Sequence, residues 1–160
     1  MGFPGRRKVV VLLAGAVALA GCRTSTPSAT GPSYEVSTAS VGGVGNVLVD
    51  GQGFTLYLFE PDHRSASTCY ESCAQAWPPV VLPAGVPAPR AGAGVRADLL
   101  GTAPRQGGAE QVTYGGWPLY RWVGDTRAGV ATGQARNNLG GCWYVLSVDG
   151  DAVKSMPCTS

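Results

Sequence analysis

Between residues 45 and 160 the apolar positions come in short runs, Val47–Val49, Leu56–Phe59, Val112–Tyr114, Leu119–Val123, Tyr144–Val148 and Ala152–Lys154. Turn pairs such as Asp50-Gly51, Gly115-Gly116 and Asp149-Gly150 punctuate them. Short runs between turn signals predict strands joined by reversals, an all-β and mainly antiparallel architecture. Within Leu56-Tyr57-Leu58-Phe59, strand alternation puts Tyr57 and Phe59 on one face and Leu56 on the other. Tyr120 and Trp122 share a face in the same way, with Leu119 opposite. A strand apolar on both faces belongs inside a core. The segment CYESCAQAW, residues 69–77, predicts one short helix, stopped by Pro78-Pro79. The Pro- and Gly-rich stretch between about 83 and 108 reads as a long connection, with Asp98-Leu99-Leu100 docking back.

Two of these runs are one phrase written twice. GFTLYLFEPDHR, residues 53–64, and GWPLYRWVGDTR, residues 116–127, agree at five of twelve positions, and two more exchange Phe for Trp. Self-similarity of this kind reports a repeat architecture. The expectation is a single β domain over 45–160, made of two pseudo-symmetric repeats (about 45–100 and 105–155) that share one core.

The N-terminus carries an address. Arg6, Arg7 and Lys8 precede an apolar run, Val9 to Leu19, too short to span a membrane as a helix, so residues 1–21 read as an export signal. It ends in Leu19-Ala20-Gly21-Cys22, which resembles the bacterial lipobox and marks Cys22 for lipidation. Residues 22–44 then read as the lipidated cysteine and a flexible tether, since nine of the eighteen residues from 23 to 40 are Ser or Thr. Removing the signal takes three of twelve basic side chains and leaves nine against ten acidic ones. No basic surface argues for nucleic acid. The expected location is the outer face of the cytoplasmic membrane, held there through the N-terminal lipid.

Both phrases fit Y-x-[FW]-x-x-D, as YLFEPD and YRWVGD, with CYESCAQAWPPV after the first and QVTYGGWPLY leading into the second. In this the chain resembles the bacterial secreted-repeat lipoproteins with a Yx(FWY)xxD motif. The resemblance implies a cell-envelope lipoprotein built on the residues Tyr57, Phe59, Asp62, Tyr120, Trp122 and Asp125. It carries over no settled activity and no catalytic residue.

Asp62 and Asp125 follow their strands where an aspartate commonly bonds the backbone to close a turn. The sharper alternative is a paired-carboxylate site for a cation or for acid–base work, with Arg64 and Arg127 as the competing ion-pair partners. Cys22 aside, Cys69, Cys73, Cys142 and Cys158 make an even set in an oxidising setting, where disulfides are the default. A hairpin about Gly150 sets Cys142 opposite Cys158, which leaves Cys69 to Cys73. If reduced, Cys69 and Cys73 with His63 form a nitrogen-and-two-thiolate set suited to zinc or copper. No cofactor is otherwise expected. Nucleophile-elbow, zincin, P-loop and dinucleotide fingerprints are missing from the sequence. The function expected is a non-catalytic binding module for an envelope protein or carbohydrate, through Trp77, Trp117 or Trp143 where exposed. The alternative is a redox or metal-handling component using His63, Cys69 and Cys73.

Overall fold

The computed structural model describes residues 1–2 and 32–159. The expected signal segment, lipidated Cys22 and the tether up to residue 31 lie outside the described residues. Eleven short elements follow in chain order, β1 (Glu35–Val41), β2 (Gly45–Asp50), β3 (Tyr57–Phe59), α1 (Ser72–Ala76), β4 (Arg90–Ala91), a 3-10 turn (Ala97–Leu99), β5 (Leu100–Pro104), β6 (Glu110–Tyr114), β7 (Trp117–Pro118), β8 (Arg136–Asn138) and β9 (Gly141–Val145). The protein is mostly β, in three three-stranded sheets ordered β2-β1-β4, β5-β6-β7 and β3-β9-β8. The pairings are antiparallel except β1 with β4.

Both repeats open on the same hairpin. In the first copy β1 pairs with β2, Val36 opposite Asp50 through Val41 opposite Gly45. In the second, β5 pairs with β6, Leu100 opposite Tyr114 through Pro104 opposite Glu110. The next turn returns the chain along the inner strand. In the second copy it is the two-residue Gly115-Gly116 reversal, whose φ values of 57° and 84° only glycine adopts without strain.

The outer strand of each hairpin corrects an expectation. Glu35–Val41 was assigned to the tether, yet it is a full strand, so the ordered domain starts ahead of residue 45. Its two buried valines, Val36 and Val41, are five apart and pack into different halves of the core, which erases any period-two signal. Leu100–Pro104 likewise lay inside the expected long connection, although its docking at Asp98-Leu99-Leu100 is real in the form of the 3-10 turn leading into β5. Of β5 only Ala103 is buried, so composition resembles a loop while the ladder to β6 makes it a strand. The expected strand at Leu119–Val123 is shorter than foreseen. Trp117–Pro118 form β7, and Tyr120 makes only isolated bridges.

Those bridges are the centre of the molecule. The Tyr57 N–H donates to the Tyr120 carbonyl and the Tyr120 N–H to the Tyr57 carbonyl, both at 2.9 Å. Equivalent residues of the two copies therefore pair with each other. On its far side Tyr57 pairs with Val145, and Tyr120 with Pro79, again equivalent places. Side-chain alternation then sorts the core as expected. Leu56, Leu58, Leu119, Leu48, Val80, Val112 and Leu146 fill an aliphatic half. Tyr57, Phe59, Trp77, Tyr120 and Trp143 fill an aromatic half. Each of these side chains contributes about 1.5–3 kcal/mol by leaving water, more for the large aromatics.

Both disulfides form as expected, Cys69 with Cys73 and Cys142 with Cys158, with Cα separations of 5.2 and 6.0 Å. The geometry behind the second differs in detail. The hairpin is centred on Asp149 rather than Gly150, with Leu146 opposite Ala152, and the chain then leaves β9 so that Thr159 runs parallel to Arg136. Cys158 reaches Cys142 from beside β8 rather than as a ladder neighbour.

Candidate functional site

The repeated phrase places one tyrosine, one ring and one aspartate per copy, and the structure binds them across the copies. The Tyr57 hydroxyl donates to Asp125 Oδ2 at 2.5 Å, and the Tyr120 hydroxyl donates to Asp62 Oδ2 at 2.6 Å. Each tyrosine thus serves the other copy's aspartate. The remaining carboxylate oxygens close the local turns. Asp62 Oδ1 accepts from the Thr68 N–H and hydroxyl at 2.7 and 2.8 Å, and Asp125 Oδ1 from those of Thr132 at 2.8 and 2.6 Å. All four residues of the two crossings are buried. Charge-assisted bonds of this kind contribute about 1.5–3 kcal/mol each. The turn reading of the aspartates therefore holds, extended by a bond between repeats that the sequence did not suggest.

Arg64 and Arg127 are not the aspartates' partners. Arg64 donates to the Gly115 carbonyl and lies over the Trp117 ring, while Arg127 is exposed. It is Arg105 that approaches Asp62, held by Ser67 Oγ, Gln111 Oε1 and the Cys69 carbonyl. Burial raises the Asp62 carboxyl above the ordinary carboxylate range, against the opposing pull of Tyr120, Thr68 and Arg105. Burial first, and then the paired carboxylates, push both tyrosine hydroxyls upward, so both stay protonated at neutral pH. Thr68, Thr132, Ser67, Arg105 and Gln111 were missed from sequence. The signal for the threonines was present as a Thr six residues after one Asp and seven after the other.

His63 is exposed, on a tight turn closed with Ala66, while Cys69 and Cys73 are buried and bonded to one another. No three His, Cys, Asp or Glu side chains converge as a ligand set among the described residues. Using these cysteines as ligands requires first reducing a buried disulfide.

Of the tryptophans expected to display themselves, Trp77 and Trp143 are fully buried and Trp117 is half-buried beneath Arg64. A surface recess lies elsewhere. An open cleft of about 460 Å³ is lined by Tyr34, Glu35, Asp50, Gln52, Pro79 and Arg121, among others. Asp50 is its buried anchor, with Oδ1 accepting from the Gln52 and Phe54 N–H groups at 2.9 and 3.0 Å and Oδ2 3.4 Å from Arg121. The guanidinium lies 3.9 Å over the Phe54 ring. Burial and the nearby Asp50 charge push the Tyr34 hydroxyl up, so it remains a donor. An arginine, a protonated phenol, an amide and a proline wall in one recess suit a polar ligand with an apolar face.

Two hairpin-led copies joined by reciprocal bonds define a tandem-repeat β protein. Segments 39–81 and 101–147, together more than half of the chain, match the family described as a secreted repeat of unknown function, and the chain belongs to that family. No curated protein and no solved structure matches it.

Proposed function

We propose that the protein is a lipid-anchored module of the cell envelope. Cys22 holds it at the outer face of the cytoplasmic membrane, and it binds an envelope carbohydrate or protein without catalysing a reaction on it. Membership of a secreted repeat family supports the extracytoplasmic setting. No helix among the described residues is long and apolar enough to cross a membrane.

One observation carries the binding reading. The repeated tyrosines and aspartates are spent on bonds inside the fold, while the recess at Tyr34, Asp50 and Arg121 stays open at the surface. Aspartates with every carboxylate oxygen satisfied by buried donors are poorly placed for acid–base chemistry on a bound substrate. The redox or metal-handling alternative at His63, Cys69 and Cys73 gains no comparable support, because both sulfurs are engaged.

Two measurements test the proposal. Replacing Cys22 by Ala should move the protein from the membrane fraction to the soluble fraction. Titrating the isotopically labelled protein with soluble cell-wall muropeptides should shift amide resonances around Tyr34, Gln52 and Arg121, and Arg121→Ala should abolish those shifts. Chemical processing of the muropeptides, or shifts centred away from the cleft, would overturn the reading.

A further inference from the structure

Four aromatic rings run through the core as one stack. Phe59 lies on Trp143 with centroids 4.2 Å apart and planes 17° apart. Trp143 lies on Trp77 at 3.9 Å and 1°, and Trp77 on Trp122 at 4.3 Å and 31°. The repeat supplies both ends, since Phe59 and Trp122 hold the same place in the two copies, and the two central tryptophans are fully buried. Only Trp122 reaches solvent, where the Arg136 guanidinium carbon stands 5.0 Å over its ring.

Two tyrosines touch this stack edge-on, Tyr57 at Trp77 with centroids 5.4 Å apart and Tyr120 at Trp143 with 5.1 Å. These are the tyrosines whose hydroxyls donate to buried carboxylates. Trp77 Nε1 is different. It is buried and has no acceptor among the described residues, an unusual loss for an indole N–H.

We infer that the stack is a one-electron relay that carries an oxidising equivalent from Trp122 at the surface to Tyr57 and Tyr120 at the contact between the repeats. An oxygen-centred organic radical of the alkoxyl class in solution takes one electron from the Trp122 ring and becomes the alkoxide, which water protonates. The cation of Arg136 disfavours positive charge on that ring, so an electron from Trp77 refills it. Trp77 and Trp143 lie parallel and in contact and share the deficit. With no acceptor at Nε1, Trp77 cannot shed its proton, and the charge stays mobile. Transfer ends when Tyr57 gives an electron to Trp77 and its phenolic proton to Asp125 Oδ2. The tyrosine O–H bond breaks, a carboxyl O–H bond forms, and a neutral tyrosyl radical remains. Tyr120 with Asp62 ends the path from Trp143 in the same way. One electron and one proton leave the tyrosine, and every charge is accounted for.

Packing explains the rings and the crossing bonds explain the tyrosine hydroxyls, but neither explains why the two meet edge-on at one continuous stack. The relay accounts for that meeting, and for the bare indole N–H between them.

The test is laser-flash photo-oxidation of the full-length protein in detergent. Tris-bipyridyl ruthenium serves with a sacrificial cobalt quencher, and transient absorption and electron paramagnetic resonance are the readouts. A tryptophan radical cation should appear first and give way to a tyrosyl radical, the second step slowing in deuterated solvent. Trp122→Phe, which places there the residue the first copy already carries, should abolish the tyrosyl signal while the melting temperature holds. Tyr57→Phe with Tyr120→Phe, provided it folds, should leave the radical on tryptophan. An unchanged tyrosyl yield in Trp122→Phe overturns the relay, as does a wild-type radical confined to tryptophan or to a tyrosine other than Tyr57 and Tyr120.

Discussion

The two copies of the repeat make the same crossing bond in different surroundings. At Tyr120 and Asp62 the bond sits in a polar mesh. Ser67 Oγ lies 2.6 Å from the tyrosine hydroxyl, and Arg105 ties Ser67 to Gln111 and to the Cys69 carbonyl. At Tyr57 and Asp125 the tyrosine has one further partner, the Gly133 N–H at 3.3 Å. The closures differ too. Thr68 is followed by Cys69, whose disulfide spans four residues, whereas Thr132 is followed by Gly133, and the second disulfide spans sixteen. One copy is held by local redundancy and the other by a few long-range contacts. Equivalent residues therefore need not carry equal weight.

The disulfides give the largest expected contrast. Replacing Cys142 and Cys158 by Ser should lower stability by about 3 kcal/mol, against about 2 kcal/mol for Cys69 and Cys73, because the longer loop restricts the unfolded chain more. Chemical denaturation without reductant measures both. The reverse order would refute the contrast between local and long-range closure.

The aspartates come next. Asp125→Ala leaves the Tyr57 hydroxyl buried without an acceptor and frees the Thr132 turn, and should cost about 2–3 kcal/mol. Asp62→Ala should cost about 1 kcal/mol less, since Ser67 remains beside the Tyr120 hydroxyl. Equal losses in thermal melts would show that the mesh contributes nothing.

Gly133→Ala probes the sparser side alone. A Cβ there would stand 2.7 Å from the Trp77 ring and 3.1 Å from Tyr57, so overpacking of about 1–3 kcal/mol is expected. Near-UV circular dichroism should report a disturbed tryptophan pair together with the lower melting temperature.

The smallest effect is a pH dependence that arises at Asp62. The Asp62 carboxyl is raised in the folded state relative to the unfolded chain. Its contribution is therefore full below the unfolded carboxylate range and is lost as pH rises through the raised folded value. Melting curves of wild type and Asp62→Asn, taken from about pH 3 to about pH 7, should show the wild type losing ground to the variant as pH rises. A gap that widens in favour of wild type toward neutral pH would reverse the sign and the argument.

Much of this organisation can be read from the chain before folding. The repeat, the β class, the opposite faces of Leu56 and Tyr57, and the helix stopped at Pro78 all follow from near-neighbour patterns, which depend only on backbone geometry. Both disulfides were legible as well, although Cys158 approaches Cys142 by another path. The outer strands β1 and β5 were hidden, because each is stabilised mainly by a ladder to a partner and buries few side chains. A ladder records itself in backbone hydrogen bonds, which every non-proline residue can make.

The site was hidden for a related reason. Tyr57 and Asp62 stand five residues apart in one phrase, so a turn within one copy was the natural reading. That Tyr57 reaches Asp125 instead depends on the two copies pairing at Tyr57 and Tyr120, a contact between distant segments. The cleft likewise assembles Tyr34, Asp50 and Arg121 from three separate parts of the chain. Residue types and short spacings are written into the chain itself. Which of two identical aspartates a tyrosine meets is settled only when the copies close on each other, because burial favours the exchanged bond, which leaves neither the hydroxyls nor the carboxylates unpaired.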